Sequence, residues 1–329
     1  MKRREFIMLL GGAAAGWPLP VRAQQPERMR HIGVLMPAAA DDAEFQTRFG
    51  AFLQGLQQAS WSIGRNVRID TRWATADADE IRRHAAEIVA LAPDVIVADG
   101  APAVGVLLKA TRTIPIVFPV VGDPVASGFV DSLARPGGNA TGFMSAENSM
   151  GAKWLELLNQ IAPSVTRVAV LRDSSTPTGM GLFGAMQAVA PSLRIEVTPV
   201  NLGDAPEIEQ AVAAFARQPN GGLIVTASGV ATRHRDLIVT LAAQHKLPAV
   251  YFGRHFVTAG GLIAYGSDLV DQYRRAAGYV DRILKGEKPS DLPVQAPVKY
   301  ETVLNLKTAK TLGLEVPSAV LVRADEVIE

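Results

Sequence analysis

A strand–helix pattern that occurs twice along one chain of 329 residues constrains this sequence most. From His31 a buried run (HIGVLM) leads to VRIDTRW, an amphipathic helix over residues 80–91, DVIVADG and, after a proline, IPIVFPV. From Arg167 the order returns as RVAVLRD, RIEVTPV, a helix over residues 205–217, GGLIVTASG and LPAVYFG. Ile32 matches Val168 in this scheme, Ile69 matches Ile195, Val95 matches Leu223 and Pro115 matches Pro248. The architecture repeats while the residues do not. Two similar lobes leave a cleft between them, and clefts are where small ligands sit.

The strand runs are continuously apolar rather than alternating, as in IGVLM, DVIVA, PIVFPVV and LIVTA. Strands covered by helices on both faces read this way, which points to parallel sheets. Within residues 80–91, Ile81, Ala85, Ile88 and Leu91 recur at helical spacing, with Asp77 or Asp79 placed to cap the start. The expected class is α/β, with two Rossmann-like lobes of parallel sheet flanked by helices and joined by a multi-strand hinge. Pro136-Gly137-Gly138-Asn139 is the strongest break, and the first crossing between lobes is expected near Phe143. The expected first lobe takes residues 27–143 plus about 268–290, and the second takes 144–267 plus about 291–329. Several crossings favour closure by a bending rotation.

Residues 1–23 stand apart. Met1–Arg4 is basic, residues 6–16 are mildly apolar, and Val21-Arg22-Ala23 offers small residues at a cleavage site. That is a secretory signal, with a cut expected after about Ala23. Its apolar run is too short to span a bilayer, which needs about 20 residues. Lys2-Arg3-Arg4-Glu5-Phe6 also resembles a twin-arginine motif. Removal of the leader takes away four basic residues and one acid, leaving the mature chain at about −2. Nucleic-acid binding would call for a basic face, so no such partner is expected. The chain has no cysteine, which excludes disulfides, zinc thiolates, iron–sulfur ligation and thiol nucleophiles. A soluble periplasmic monomer without cofactor or metal is the expectation.

In open parallel sheets, ligands bind beyond the carboxyl ends of strands at the topological switch point. That rule selects residues 36–42, 99–103 and 121–125 in the first lobe. In the second it selects 173–178, 227–230, 252–254 and 265–268. The candidate ligand residues are therefore Met36, Asp42, Gly100, Ala101, Pro102, Gly122, Asp123, Ser174, Ser228, Tyr251, Arg254, Tyr265 and Asp268. Small residues at helix starts let backbone amides reach an anion, with the helix dipole adding roughly 0.3–1 kcal/mol. Asp123 or Asp268 is placed to meet an ammonium group, and Tyr251, Phe252 and Tyr265 to stack on an apolar moiety. Equally, Gly and Pro are common at such turns for backbone reasons alone, and an Asp there is often a cap. Trp154 shares a helix with Leu155, Leu157, Leu158 and Ile161 and reads as packing, as do Trp61 and Trp73.

Catalytic spacing is thin. The five histidines are scattered, and no His-Glu-x-x-His, Gly-x-Ser-x-Gly or Walker loop occurs. Gly-x-Gly-x-x-Gly follows no strand of the mature chain.

Several stretches together resemble the ABC-transporter substrate-binding family, whose members include tryptophan and tyrosine uptake-type proteins. They are the leader KRREFIMLLGGAAA, Phe52-Leu53-Gln54-Gly55-Leu56, Ile114–Phe118 running into Val121-Gly122-Asp123-Pro124-Val125, and Ser132–Asn139. YGSDLVDQYRRAAGYVDRILKGEKPSDLPVQ and NLKTAKTLGLEVP extend the likeness over nearly the whole length. The resemblance implies a type I periplasmic-binding fold that delivers a small solute to a membrane permease. An amino acid, aromatic compound or other small carboxylate is the expected ligand. A ligand sensor for a signalling receptor and an exported α/β hydrolase are the competing expectations.

Overall fold

The computed structural model describes residues 29–75, 77–174 and 176–329. The expected leader and its cut near Ala23 lie outside the described residues. The first half of the chain runs β1 (Arg30–Met36), α1 (Ala43–Gln58), β2 (Val67–Trp73), α2 (Ala78–Ala90), β3 (Val95–Ala98), α3 (Ala101–Ala110), β4 (Ile116–Val121) and β5 (Ala140–Met144). It continues through α4 (Ser149–Ile161), β6 (Arg167–Arg172), α5 (Pro177–Leu193), β7 (Glu196–Asn201), α6 (Ala205–Phe215), β8 (Gly221–Val225), α7 (Gly229–Arg233) and α8 (Arg235–Gln244). The last part is β9 (Ala249–Tyr251), α9 (Arg254–Thr258), β10 (Ile263–Ser267), α10 (Leu269–Leu284), β11 (Tyr300–Asn305), α11 (Leu306–Thr311), α12 (Ser318–Leu321) and β12 (Glu326–Ile328).

Two sheets form. One has the order β2-β1-β3-β4-β5 and is parallel throughout. The other has the order β12-β11-β10-β9-β8-β6-β7 and is parallel except where β10 meets β11. In each, the first strand lies between the second and third, so the sequence repeat corresponds to a repeated topology. The apolar runs supply both cores: Ile32, Val34, Val95 and Val97 in one, and Val168, Val170, Ile224 and Val250 in the other.

The first lobe recruits α10 from late in the chain. Tyr273, Ala276, Ala277 and Val280 of α10 are fully buried with Phe52 and Leu56 of α1. Gly55 permits this approach, because a Cβ there would lie 2.7 Å from both the Arg274 carbonyl and the Ala277 Cβ. Trp61 donates its indole N–H to Asp281 at 2.9 Å, and Trp73 meets Phe49 edge-on. Gly55→Val is expected to force the two helices apart and cost about 2 kcal/mol, read as a shift in the urea midpoint.

Three segments connect the sheets and lie side by side. The Met144 amide donates to the Gln295 carbonyl at 2.8 Å, and the Gln295 amide to the Gly142 carbonyl at 2.9 Å. Ser267 Oγ donates to the Ser145 carbonyl at 2.5 Å. Leu292 and Val294 are buried against residues of the five-stranded sheet, and Thr141 Oγ1 donates to the Leu292 carbonyl at 2.6 Å.

Candidate functional site

A cavity of about 140 Å³ lies between the lobes at both switch points. Pro37 follows β1 and Asp99–Pro102 follow β3, while Asp173 follows β6 and Ala227–Val230 follow β8. Val120, Val121 and Gly122 add the end of β4, and Ser145, Ala146, Ser267 and Leu269 come from the connecting segments. The apolar wall is Phe45 from α1, Ile81 from α2, Met150 and Trp154 from α4, and Phe252. Trp154 is fully buried and donates its indole N–H to the Tyr265 carbonyl at 2.6 Å, which fixes the ring.

The lobes touch across this cavity. Thr178 Oγ1 accepts the Asp123 amide at 3.1 Å, and Arg235 on α8 pairs with Asp42 at 3.5 Å. A Cβ on Gly122 would lie 2.2 Å from Thr178 Oγ1, so glycine is what allows the approach. The conformation is therefore closed.

Charges of both signs sit on the wall. Arg48 is 3% exposed, with its guanidinium over the Phe45 ring at 4.7 Å and its Nε donating to Glu44 at 3.2 Å. Asp99 is buried and accepts the Tyr273 hydroxyl. Burial raises the Asp99 carboxyl above its ordinary range, outweighing the lowering pull of Arg48 and of that hydroxyl. A carboxyl raised in this way favours the folded state when protonated, and the benefit is lost as pH climbs above about 4. Asp99→Asn keeps an acceptor for Tyr273 without ionising. It is expected to raise the melting temperature of the ligand-free protein by about 2–4 °C at pH 8, with the gain shrinking toward pH 4. Thermal melts at stepped pH check this.

Two helices point uncapped first turns at the cavity. Gly100 precedes α3 at φ +83°, a left-handed backbone suited to glycine, and no side chain caps the helix. Thr176 precedes α5, also without a side-chain cap. Ser228 instead caps α7 by accepting the Ala231 amide at 3.0 Å.

Of the residues singled out from sequence, Gly100, Ala101, Pro102, Gly122, Ser228 and Phe252 line the cavity. The others lie elsewhere. Met36 and Tyr251 are fully buried in the cores, Met36 beside the Tyr273 hydroxyl at 3.5 Å and Tyr251 stacked on Phe256 at 4.9 Å. Tyr265 stacks on Tyr300. Asp42 caps α1, Asp268 caps α10 and pairs with Lys299, and Asp123 accepts the Ala126 amide in its own turn. Arg254 pairs with Glu301 and Glu326, and Ser174 is exposed to solvent. Arg48, Phe45, Met150 and Thr178 were not singled out, and Trp154, read as packing, also forms cavity wall.

Residues 31–328 match the model of the family described as ABC transporter substrate binding protein. The chain belongs to that family. Among curated relatives, this substrate-binding protein is 26% identical over 277 residues to a tyrosine-binding protein of Clostridioides difficile, covering 82% of this chain and 77% of that one. Among solved structures it is similar to the ABC domain in complex with L-Trp from Streptococcus pneumoniae, with a TM-score of 0.85, 24% identity and coverage of 91% and 100%. A conserved domain protein from Vibrio cholerae superposes with a TM-score of 0.84 at 25% identity, with coverage again 91% and 100%. Family and fold together make it a solute-binding component, taking a small molecule and partnered with an ABC permease.

Proposed function

We propose that this protein is exported to the periplasm as a monomer, closes on an aromatic amino acid or similar small carboxylate, and presents it to its permease. The carrying observation is the cavity at two switch points, walled by Phe45, Met150, Trp154 and Phe252 and bearing buried groups of both charges. The tyrosine-binding relative and the L-Trp complex support the ligand class. The leader over residues 1–23 supports export, with its paired arginines favouring the twin-arginine route. Residues 29–143 with 268–295 form one moving body, and 144–267 with 296–329 the other. Gly100, Ala101, Pro102, Gly122 and Ser228 contact the ligand.

Ligand shifts the protein toward closure only by its extra affinity for the closed form. The action is binding and release rather than turnover. A thermal-shift screen of small metabolites, with solution scattering to follow compaction, tests the reading. Stabilisation and compaction by an aromatic amino acid are expected; no response from any metabolite class would overturn it.

A further inference from the structure

Arg48 lines the cavity with its guanidinium held by Glu44. Its Nε is spent on Glu44, but Nη2 has no water-accessible surface and completes no hydrogen bond, although it lies 3.2 Å from the same carboxylate oxygen. Buried cationic donors without an acceptor are costly, and folded proteins rarely keep them. Asp99 on the same wall, whose carboxyl feels the Arg48 charge, already holds the Tyr273 hydroxyl. On the same wall α3, ten residues long, begins at Gly100 with no side chain over its first turn. A guanidinium edge and an uncapped helix start are both donor sets for an oxyanion.

We infer that Arg48 anchors the carboxylate of the solute, with the first turn of α3 as the second donor, so that the site selects small carboxylates over polyols. This rests on the solute-binding reading above and assigns its anion contact. Glu44 holds the guanidinium in place, and Phe45 shields it from water, so the exchangeable partner is the ligand. Phe45 and Arg48 are three residues apart on α1, and Asp42 at its start pairs across the cleft. One helix face therefore supplies the apolar wall, the anion anchor and a closing contact.

The test uses the mature protein with matched probes: L-tryptophan, L-tyrosine and 3-phenylpropionate, each beside its primary amide, together with myo-inositol and D-glucose. Melting temperature and calorimetric affinity are read for the wild type, Arg48→Met and Arg48→Lys. At least one acid is expected to bind while its amide binds tenfold or more weaker. Arg48→Met is expected to lose tenfold or more in affinity for that acid, Arg48→Lys to recover part of it, and the ligand-free melting temperature of Arg48→Met to hold or rise. A structural arginine would instead lower that melting temperature and leave acid and amide equal, which would overturn the assignment. Binding of a polyol in preference to every acid would also overturn it while leaving the solute-binding reading intact. Silence from all probes would count against both.

Discussion

Gly122→Ala is expected to keep the lobes apart and to weaken solute binding by about 100-fold while leaving each lobe folded. The added methyl would lie 2.2, 2.4 and 2.8 Å from three atoms of Thr178 on the opposite lobe. Thr178 is short and 7% exposed, so it has little room to yield. Separation of the lobes is the cheaper response, because the connecting segments bend while packed cores do not. The loss should exceed that of one hydrogen bond, since separation removes the Asp123–Thr178 contact and opens the cavity to water. The melting temperature of the ligand-free protein should stay within about 2 °C of the wild type. The double variant Gly122→Ala/Thr178→Gly, which removes all three clashing atoms, should regain most of the affinity and so identify the clash as the cause.

Trp154→Ala is expected to cost about 4 kcal/mol of folding stability, the largest effect of any single cavity residue. The indole is fully buried among Leu155, Leu158, Val168 and Ile224, so truncation leaves a large void. It also strips the Tyr265 carbonyl of its 2.6 Å donor beside the connecting segment. Urea unfolding followed by near-ultraviolet circular dichroism should show a markedly lower midpoint. Trp154→Phe should recover most of the packing but not the hydrogen bond, placing it between the two. A loss below about 1 kcal/mol for the alanine variant would show that the ring is not the keystone of this wall.

Much of this was legible in the chain because strand physics is local. Fully buried parallel strands have to read as apolar runs, and the switch-point rule then selects loops without knowledge of any ligand. Pro37, the Asp99–Pro102 turn, Gly122, Asp173 and Ser228 all fall within loops chosen that way. Side-chain direction at strand ends is harder to read, because neighbouring residues point to opposite faces. Met36 enters the core and Pro37 the cavity; Tyr251 stacks on Phe256 while Phe252 lines the cavity. A shift of one residue exchanges a cavity-lining position for a core one.

Acids after strands were ambiguous for a different reason. Asp42 and Asp268 satisfy amide groups at the starts of α1 and α10, a local demand met before any ligand is present. The least legible contributions come from helix faces. Arg48, Phe45, Met150 and Trp154 reach the cavity only because α1 packs on α10 and α4 packs on α5. Periodicity marks such residues as buried but does not say whether they face a core or a cleft. For Arg48 one signal existed: an arginine aligned with the apolar face formed by Phe45, Phe52 and Leu56.

Closure around a solute can be followed directly as a distance. The chain has no cysteine, so spin labels attach only where cysteine is introduced. Val125 and Met180 are 40% and 54% exposed and flank the Asp123–Thr178 contact on opposite lobes. With labels at those two positions, pulsed electron resonance should show a broad, longer distance in the solute-free protein. A short, narrow distance should replace it when the stabilising solute is added. An identical distribution in both states, with the solute bound, would contradict the hinged clamp.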